Sequence, residues 1–193
     1  MNNLNPFSII LIMGVVNYIS LIPLPVCLLP NEREILNIDE ERYRDLIDSL
    51  LVHRENFGIP CNNLLNTVNI GSLVRLEKVS PILGTDQISI QVYCTQLFEL
   101  TKFYYRHFKG SWPGGEIRAF DSSLFTKHYS EGTLKGSSPF QIASEINLSL
   151  DDKLRLLKFK DSTTIEAFLV SKKKSYDFCV DQELAVKDDL YLN

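Results

Sequence analysis

The sequence predicts an α+β fold: mostly antiparallel strands with one packed helix, followed by a small helical subdomain. Three observations carry that prediction. Apolar or alternating stretches run from Ile22 to Phe120, separated by Pro, Gly and Asn corners. A single amphipathic segment, Tyr43 to Leu51, interrupts them, and three helix-start signals fall after Ser137. Strands gathered ahead of helices, rather than alternating with them, argue for α+β layering.

The first element is Ile22-Pro23-Leu24-Pro25-Val26-Cys27-Leu28-Leu29, almost entirely apolar and too interrupted by proline for a helix, so it is expected as a strand buried on both faces. Pro30-Asn31 then turns the chain, proline fixing φ and asparagine tolerating positive φ. Arg33 to Ile38 reads as a second strand with Ile35 and Leu36 inward. Next, Tyr43, Leu46, Ile47, Leu50 and Leu51 fall on one helical face, with Asp39, Glu40 and Glu41 at the dipole's positive end and His53 and Arg54 at its negative end. Phe57 to Cys61 is a short strand and Asn62-Asn63 a turn. Ile70 to Val79 alternates as a half-buried strand, breaks at Pro81 to Asp86 with Gly84 in the corner, and returns from Ile88 to Thr101 as the longest strand, giving an antiparallel hairpin. Phe103, Tyr104, Tyr105, Phe108 and Trp112 crowd the stretch ahead of Pro113-Gly114-Gly115, and Glu116 to Phe120 is the last strand.

Beyond Asp121 the composition shifts to Ser, Gly, Lys and Thr, with Gly132 and Gly136 bracketing a loop. Ser138-Pro139-Phe140-Gln141 combines a Ser cap, Pro at the first helical position and Gln at the third, which is a capping box. Ser149 starts a second helix carrying Leu150, Leu154 and Leu157, and Thr163 a third with Ile165, Phe168 and Leu169; all three are expected to be short. Lys172-Lys173-Lys174 is read as the solvated face or frayed end of a helix.

The segment Pro23-Leu24-Pro25, Pro30, and Glu40 with Arg42-Tyr43, followed in order by Gly58, Gly71 and Pro113-Gly114-Gly115, resembles the N-terminal (LON substrate-binding) domain of Lon proteases, and in particular small stand-alone bacterial proteins built on it. Asn31 and Glu41 stand where those relatives carry glycine and proline; Cys94 and Gln96 stand where they carry glycine and arginine, the glycine marking a bend. The resemblance covers residues 20–193. It implies a compact, mostly antiparallel, PUA-like pseudo-barrel over residues 19–130, a helical subdomain over 131–193 and an apolar extension over 1–18. In full-length Lon proteases this region helps recognise unfolded or tagged substrates and contributes to assembly. A copy on its own is expected to bind exposed apolar protein segments without degrading them, as an adaptor for a separate protease.

Composition narrows the chemistry. With 193 residues, 45% of them hydrophobic, the chain can bury a sizeable core, and a net charge of −4 disfavours DNA or RNA, which call for a basic stripe. Cys27, Cys61, Cys94 and Cys179 form no Cys-x-x-Cys pair and read as reduced residues of a cytoplasmic protein, Cys27–Cys94 being the one pairing left open. The three histidines are not at zinc-ligand spacing, no G-x-x-x-x-G-K-[ST] loop is present, and no serine or acidic pair sits in an activating motif. No catalytic residue, metal or cofactor is expected. Residues 7 to 29 carry no charge and meet the length of a membrane span, but Asn17, Ser20, Pro23, Pro25 and the lack of a basic residue before Arg33 weigh against one. Met13 offers an alternative start.

The aromatic cluster exceeds what one strand face needs to bury, so Phe103, Tyr105, Phe108 and Trp112 are the candidate peptide-binding residues. Two rivals remain. A PUA-like RNA-binding protein would use a local patch of Lys102, Arg106, His107 and Lys109, and a small-molecule enzyme or sensor would need a convergent polar pocket.

Overall fold

The computed structural model describes residues 17–61, 69–107, 110–130, 132 and 134–191. Two compact units follow one another, Met1–Asp121 and Ser122–Asn193. The division coincides with the change in composition after Asp121.

The first unit contains β1 (Asn17–Ser20), β2 (Arg33–Ile38), α1 (Arg42–His53), β3 (Asn56–Pro60), β4 (Ile70–Pro81), β5 (Ile88–Tyr104) and β6 (Gly114–Ala119). One sheet runs β1-β6-β5-β4-β3, with β2 added to β5, and every strand pairing is antiparallel. After β1 the chain crosses to β3: the Ile22 N–H donates to Gly58 O at 2.9 Å, and single bridges join Leu21 to Gly58 and Leu24 to Cys61. These links draw the β1 and β3 ends of the otherwise open sheet toward each other. This corrects the expectation of a strand over Ile22–Leu29. Ile22, Cys27, Leu28 and Leu29 are buried as foreseen, yet the segment is not a strand, because Pro23 and Pro25 have no N–H for a continuous ladder. The opening strand is β1, which takes in Asn17 and Tyr18 from the stretch read as an extension.

The hairpin of β4 and β5 forms as expected, with Gly84 at φ 79° in its corner, and Asn31 takes φ 75° in the first turn. Leu73 faces Gln96 while Val74 faces Cys94, so Thr95 is the extra residue of a β-bulge, and its hydroxyl donates to Leu73 O at 3.0 Å. The bend falls at Cys94 without a glycine. Gly71 is needed for a different reason: the Phe98 ring lies where its Cβ would be.

Tyr43, Leu46, Ile47 and Leu50 of α1 are buried, and Arg42 lies 4.9 Å over the Tyr43 ring while pairing with Glu40. Leu51, expected on that face, is 51% exposed, because the helix covers the sheet with a narrower stripe than five positions. In β2, Leu36 and Ile38 turn inward and Ile35 is 65% exposed, as strict alternation requires of neighbours. The main core joins α1, β2, β3, β4 and the first half of β5; a second cluster of Leu21, Leu73, Phe98 and Ile117 lies toward β1 and β6.

The second unit contains α2 (Ser123–Thr126), α3 (Pro139–Glu145), α4 (Leu150–Leu156) and α5 (Ser162–Tyr191). The capping box at Ser138 and Gln141 is present in both directions, and the Ser149 hydroxyl accepts from Asp152 N at 3.2 Å. The third helix starts earlier than Thr163. The Asp161 carboxylate caps it, accepting from Thr164 N at 2.7 Å and from the Thr164 hydroxyl at 2.8 Å, which lowers the Asp161 pKa. Nor is it short: α5 has 30 residues and carries Lys172, Lys173 and Lys174 in its middle, with Lys172 on Asp152 at 2.6 Å. The four-residue α2 has no counterpart in the sequence reading.

Candidate functional site

β5 ends in the aromatic stretch, and strand alternation sends its rings to opposite faces. Tyr104 joins one face, where its ring lies 5.5 Å from Tyr18; Tyr18 lies 4.9 Å from His107, and His107 stacks on Trp112 at 5.9 Å. The Trp112 indole N–H donates to Ser20 Oγ at 3.0 Å, and the Tyr104 hydroxyl donates to Glu116. The His107 N–H closes the turn on Trp112 O. Gly114 is required here, since a Cβ would stand 2.6 Å from the Tyr18 hydroxyl. Trp112 is only 6% exposed and belongs to the main core, so it does not reach a recognition surface.

Phe103 and Tyr105 occupy the other face. Their rings meet edge to face at 5.3 Å, with Phe103 packed on the Leu21–Ile117 cluster and Tyr105 86% exposed. Both line an open groove of about 380 Å³ whose remaining walls are Pro23, Pro60, Cys61, Asn69 and Leu100. Pro23 and Pro60 bring no N–H, the Cys61 N–H donates to Ile70 O at 3.2 Å, and the Leu100 N–H donates to Asn69 O at 2.9 Å. The groove is lined mostly by apolar residues with Asn69 among them, and the Cys61 and Leu100 N–H groups are already used.

Lys102 and Arg106, which flank this stretch in the sequence, are exposed. The Lys102 ammonium lies 4.9 Å from the centre of the Tyr104 ring, and its pKa is raised by the Tyr104 hydroxyl first and the Glu116 carboxylate after it. His107 is buried at 5% exposure, so it cannot serve a basic surface patch with Lys102 and Arg106. Phe108 and Lys109, also named from the sequence, lie outside the described residues, as does the Asn62-Asn63 turn.

Thus two of the four sequence-predicted residues, Phe103 and Tyr105, are brought together. Pro60, Cys61, Asn69 and Leu100 were missed as groove walls, because nothing local in the sequence joins the end of β3, the start of β4 and the middle of β5. Among the motif residues, Pro23 lines the groove, Leu24 bridges to Cys61, Pro25 is exposed, Pro30 leads the turn, and Gly58, Gly71, Pro113, Gly114 and Gly115 are buried. Among the described residues no three His, Cys, Asp or Glu side chains gather as a metal site, and no helix is long and apolar enough to cross a membrane. The four cysteines form no disulfide.

No protein-family model matches the chain, and no curated protein matches it. Among the solved structures similar to it are two Lon N-terminal domains. A Lon N-terminal domain protein from Xanthomonas campestris aligns with a TM-score of 0.62 and 19% identity, over 80% of this chain and 98% of that one. The N-terminal domain of the Mycobacterium avium complex Lon protease aligns with a TM-score of 0.55 and 12% identity, over 82% of this chain and 98% of that one. At these identities the likeness establishes the fold.

Proposed function

We propose that this chain, which has the fold of a Lon N-terminal domain, is a protein-binding module that receives exposed apolar polypeptide segments in the groove beside Phe103 and Tyr105 and carries out no chemistry on them. The observation that carries this reading is the Tyr105 ring, 86% exposed yet held against Phe103 at the rim of an apolar groove. A large ring left in water at such a place is free to be covered by a ligand, and burying one contributes about 2 kcal/mol. Such a module would act as an adaptor, presenting clients to a separate protease. An RNA-binding reading draws less support, since the net charge is −4 and His107 is buried.

The test is fluorescence anisotropy with a labelled, permanently unfolded protein such as reduced, carboxymethylated lactalbumin. Wild type is expected to bind it, and Tyr105→Ala to weaken binding by about five- to thirty-fold, a hot-spot loss of 1–2 kcal/mol, while its melting temperature stays unchanged. Equal binding by the two proteins would remove the groove from consideration.

A further inference from the structure

We infer that β2 is a self-association site, at which a second copy of this chain adds its own β2 antiparallel across a two-fold axis. The backbone of β2 leaves one edge open. Among the described strands it pairs with β5 alone. The Cys94 N–H donates to Glu32 O at 2.9 Å, and bonded pairs recur at every second residue of an antiparallel ladder, so in this register Glu34, Leu36 and Ile38 turn their N–H and C=O groups to β5. Arg33, Ile35 and Asn37 turn theirs to the open edge. The Ile35 N–H agrees with this, since it donates to the Glu34 carboxylate at 3.3 Å in an exposed contact. No proline and no bulge interrupts β2, and these are devices that close an edge to further strands.

What such an edge takes is a strand, and its side chains select which one. Arg33, Ile35 and Asn37 share one face and are all exposed, Ile35 at 65%. Arg33 and Arg75 share a single carboxylate, Glu77, at 3.0 and 3.4 Å, so the cluster keeps one positive charge in excess, and the Arg33 side chain is still 56% exposed. Asp39, the residue after β2, is exposed as well. Running a second β2 antiparallel about Leu36 sets Arg33 opposite Asp39 of the second copy and Ile35 opposite its Asn37, each contact occurring twice. The open-edge groups then meet in bonded pairs, while Leu36 meets its copy where no ladder bond is made. The segment is thus its own complement in charge, as an isologous contact requires. A strand edge of this length is a small interface, so the dimer is expected to be weak, with a Kd of about 10–100 µM.

Sedimentation velocity of the full chain from about 1 to 300 µM, a span that brackets this range, tests the inference. Wild type is expected to show a monomer–dimer equilibrium. Ile35→Lys is expected to weaken it by about ten-fold or more with an unchanged melting temperature, because the residue is exposed and a lysine there blocks an edge. Asp39→Lys, which sets a like charge opposite Arg33, is expected to weaken it by about five-fold or more and to reverse the salt dependence, so that added salt strengthens the dimer instead of weakening it. Glu34→Ala releases the Ile35 N–H and is expected to leave the dimer as tight or tighter. A chain that stayed monomeric throughout the range would overturn self-association at this edge, as would a dimer that Ile35→Lys left unchanged. A dimer sensitive to Ile35→Lys and indifferent to Asp39→Lys would overturn the register about Leu36.

Discussion

Tyr129 shows how a single hydroxyl shapes stability in the second unit. Its oxygen is buried with no hydrogen-bond partner among the described residues, and its pKa is pushed up to about 12 by burial, with the Glu166 carboxylate adding to the effect. The folded state therefore holds this proton more tightly than the unfolded chain. That contribution is complete below the unfolded value near 10 and is lost as pH rises through about 12. Tyr43, raised chiefly by burial, acts in the same direction. Tyr129→Phe is expected to be neutral or more stable by up to about 1 kcal/mol at pH 7, since it removes an unsatisfied group. It should also lessen the loss of stability between pH 10 and 12; urea melts across that range would contradict this if the two proteins declined in parallel. Trp112 and Tyr105 form a second contrast. Trp112→Ala should cost about 3–5 kcal/mol, because it empties a core position, whereas Tyr105→Ala should stay within about 0.5 kcal/mol. The crowding of aromatics over Phe103-Tyr104-Tyr105 was legible in the sequence. Which face would be buried was not, because Tyr18, from a stretch read as an extension, supplies the rings that cover one of them.

At the scale of elements, the readings that held were those written in local chemistry. Ser138 and Gln141 signal a capping box within four positions, and the structure has it. Ser138→Ala is therefore expected to lower stability by about 1 kcal/mol, seen as a fall in the melting temperature, while Ser137→Ala serves as the neutral comparison. The hairpin of β4 and β5 was legible from its alternation and its Gly84 corner. The apolar run Ile22–Leu29 was legible as buried but not as coil, since burial follows from side chains and the ladder from N–H groups that Pro23 and Pro25 lack. At α5 the sequence offered Thr163 as a start, whereas the carboxylate of Asp161 performs the capping. The length of α5 escaped notice because no proline or glycine ends it and its described side chains from Ser171 to Cys179 are mostly exposed, so the apolar stripe fades before the helix does.

For the whole molecule, strand order was the least legible feature. β1 pairs with β6, and β2 with β5, across separations that no local pattern encodes, and the groove inherits that distance by drawing its walls from the chain after β1 and from β3, β4 and β5. The same topology bears on how the protein is made. Ser20 and Trp112, joined through a hydrogen bond at the base of the β5–β6 turn, stand 92 positions apart, and β1 pairs in the sheet with β6 alone among the described strands. At a synthesis rate of about 5–20 residues per second, the first strand emerges roughly 5 to 20 seconds before the last. During that interval the growing chain exposes Leu21, whose cluster is completed by Ile117 of β6. While nascent, the chain is thus itself of the kind that the proposed groove would take.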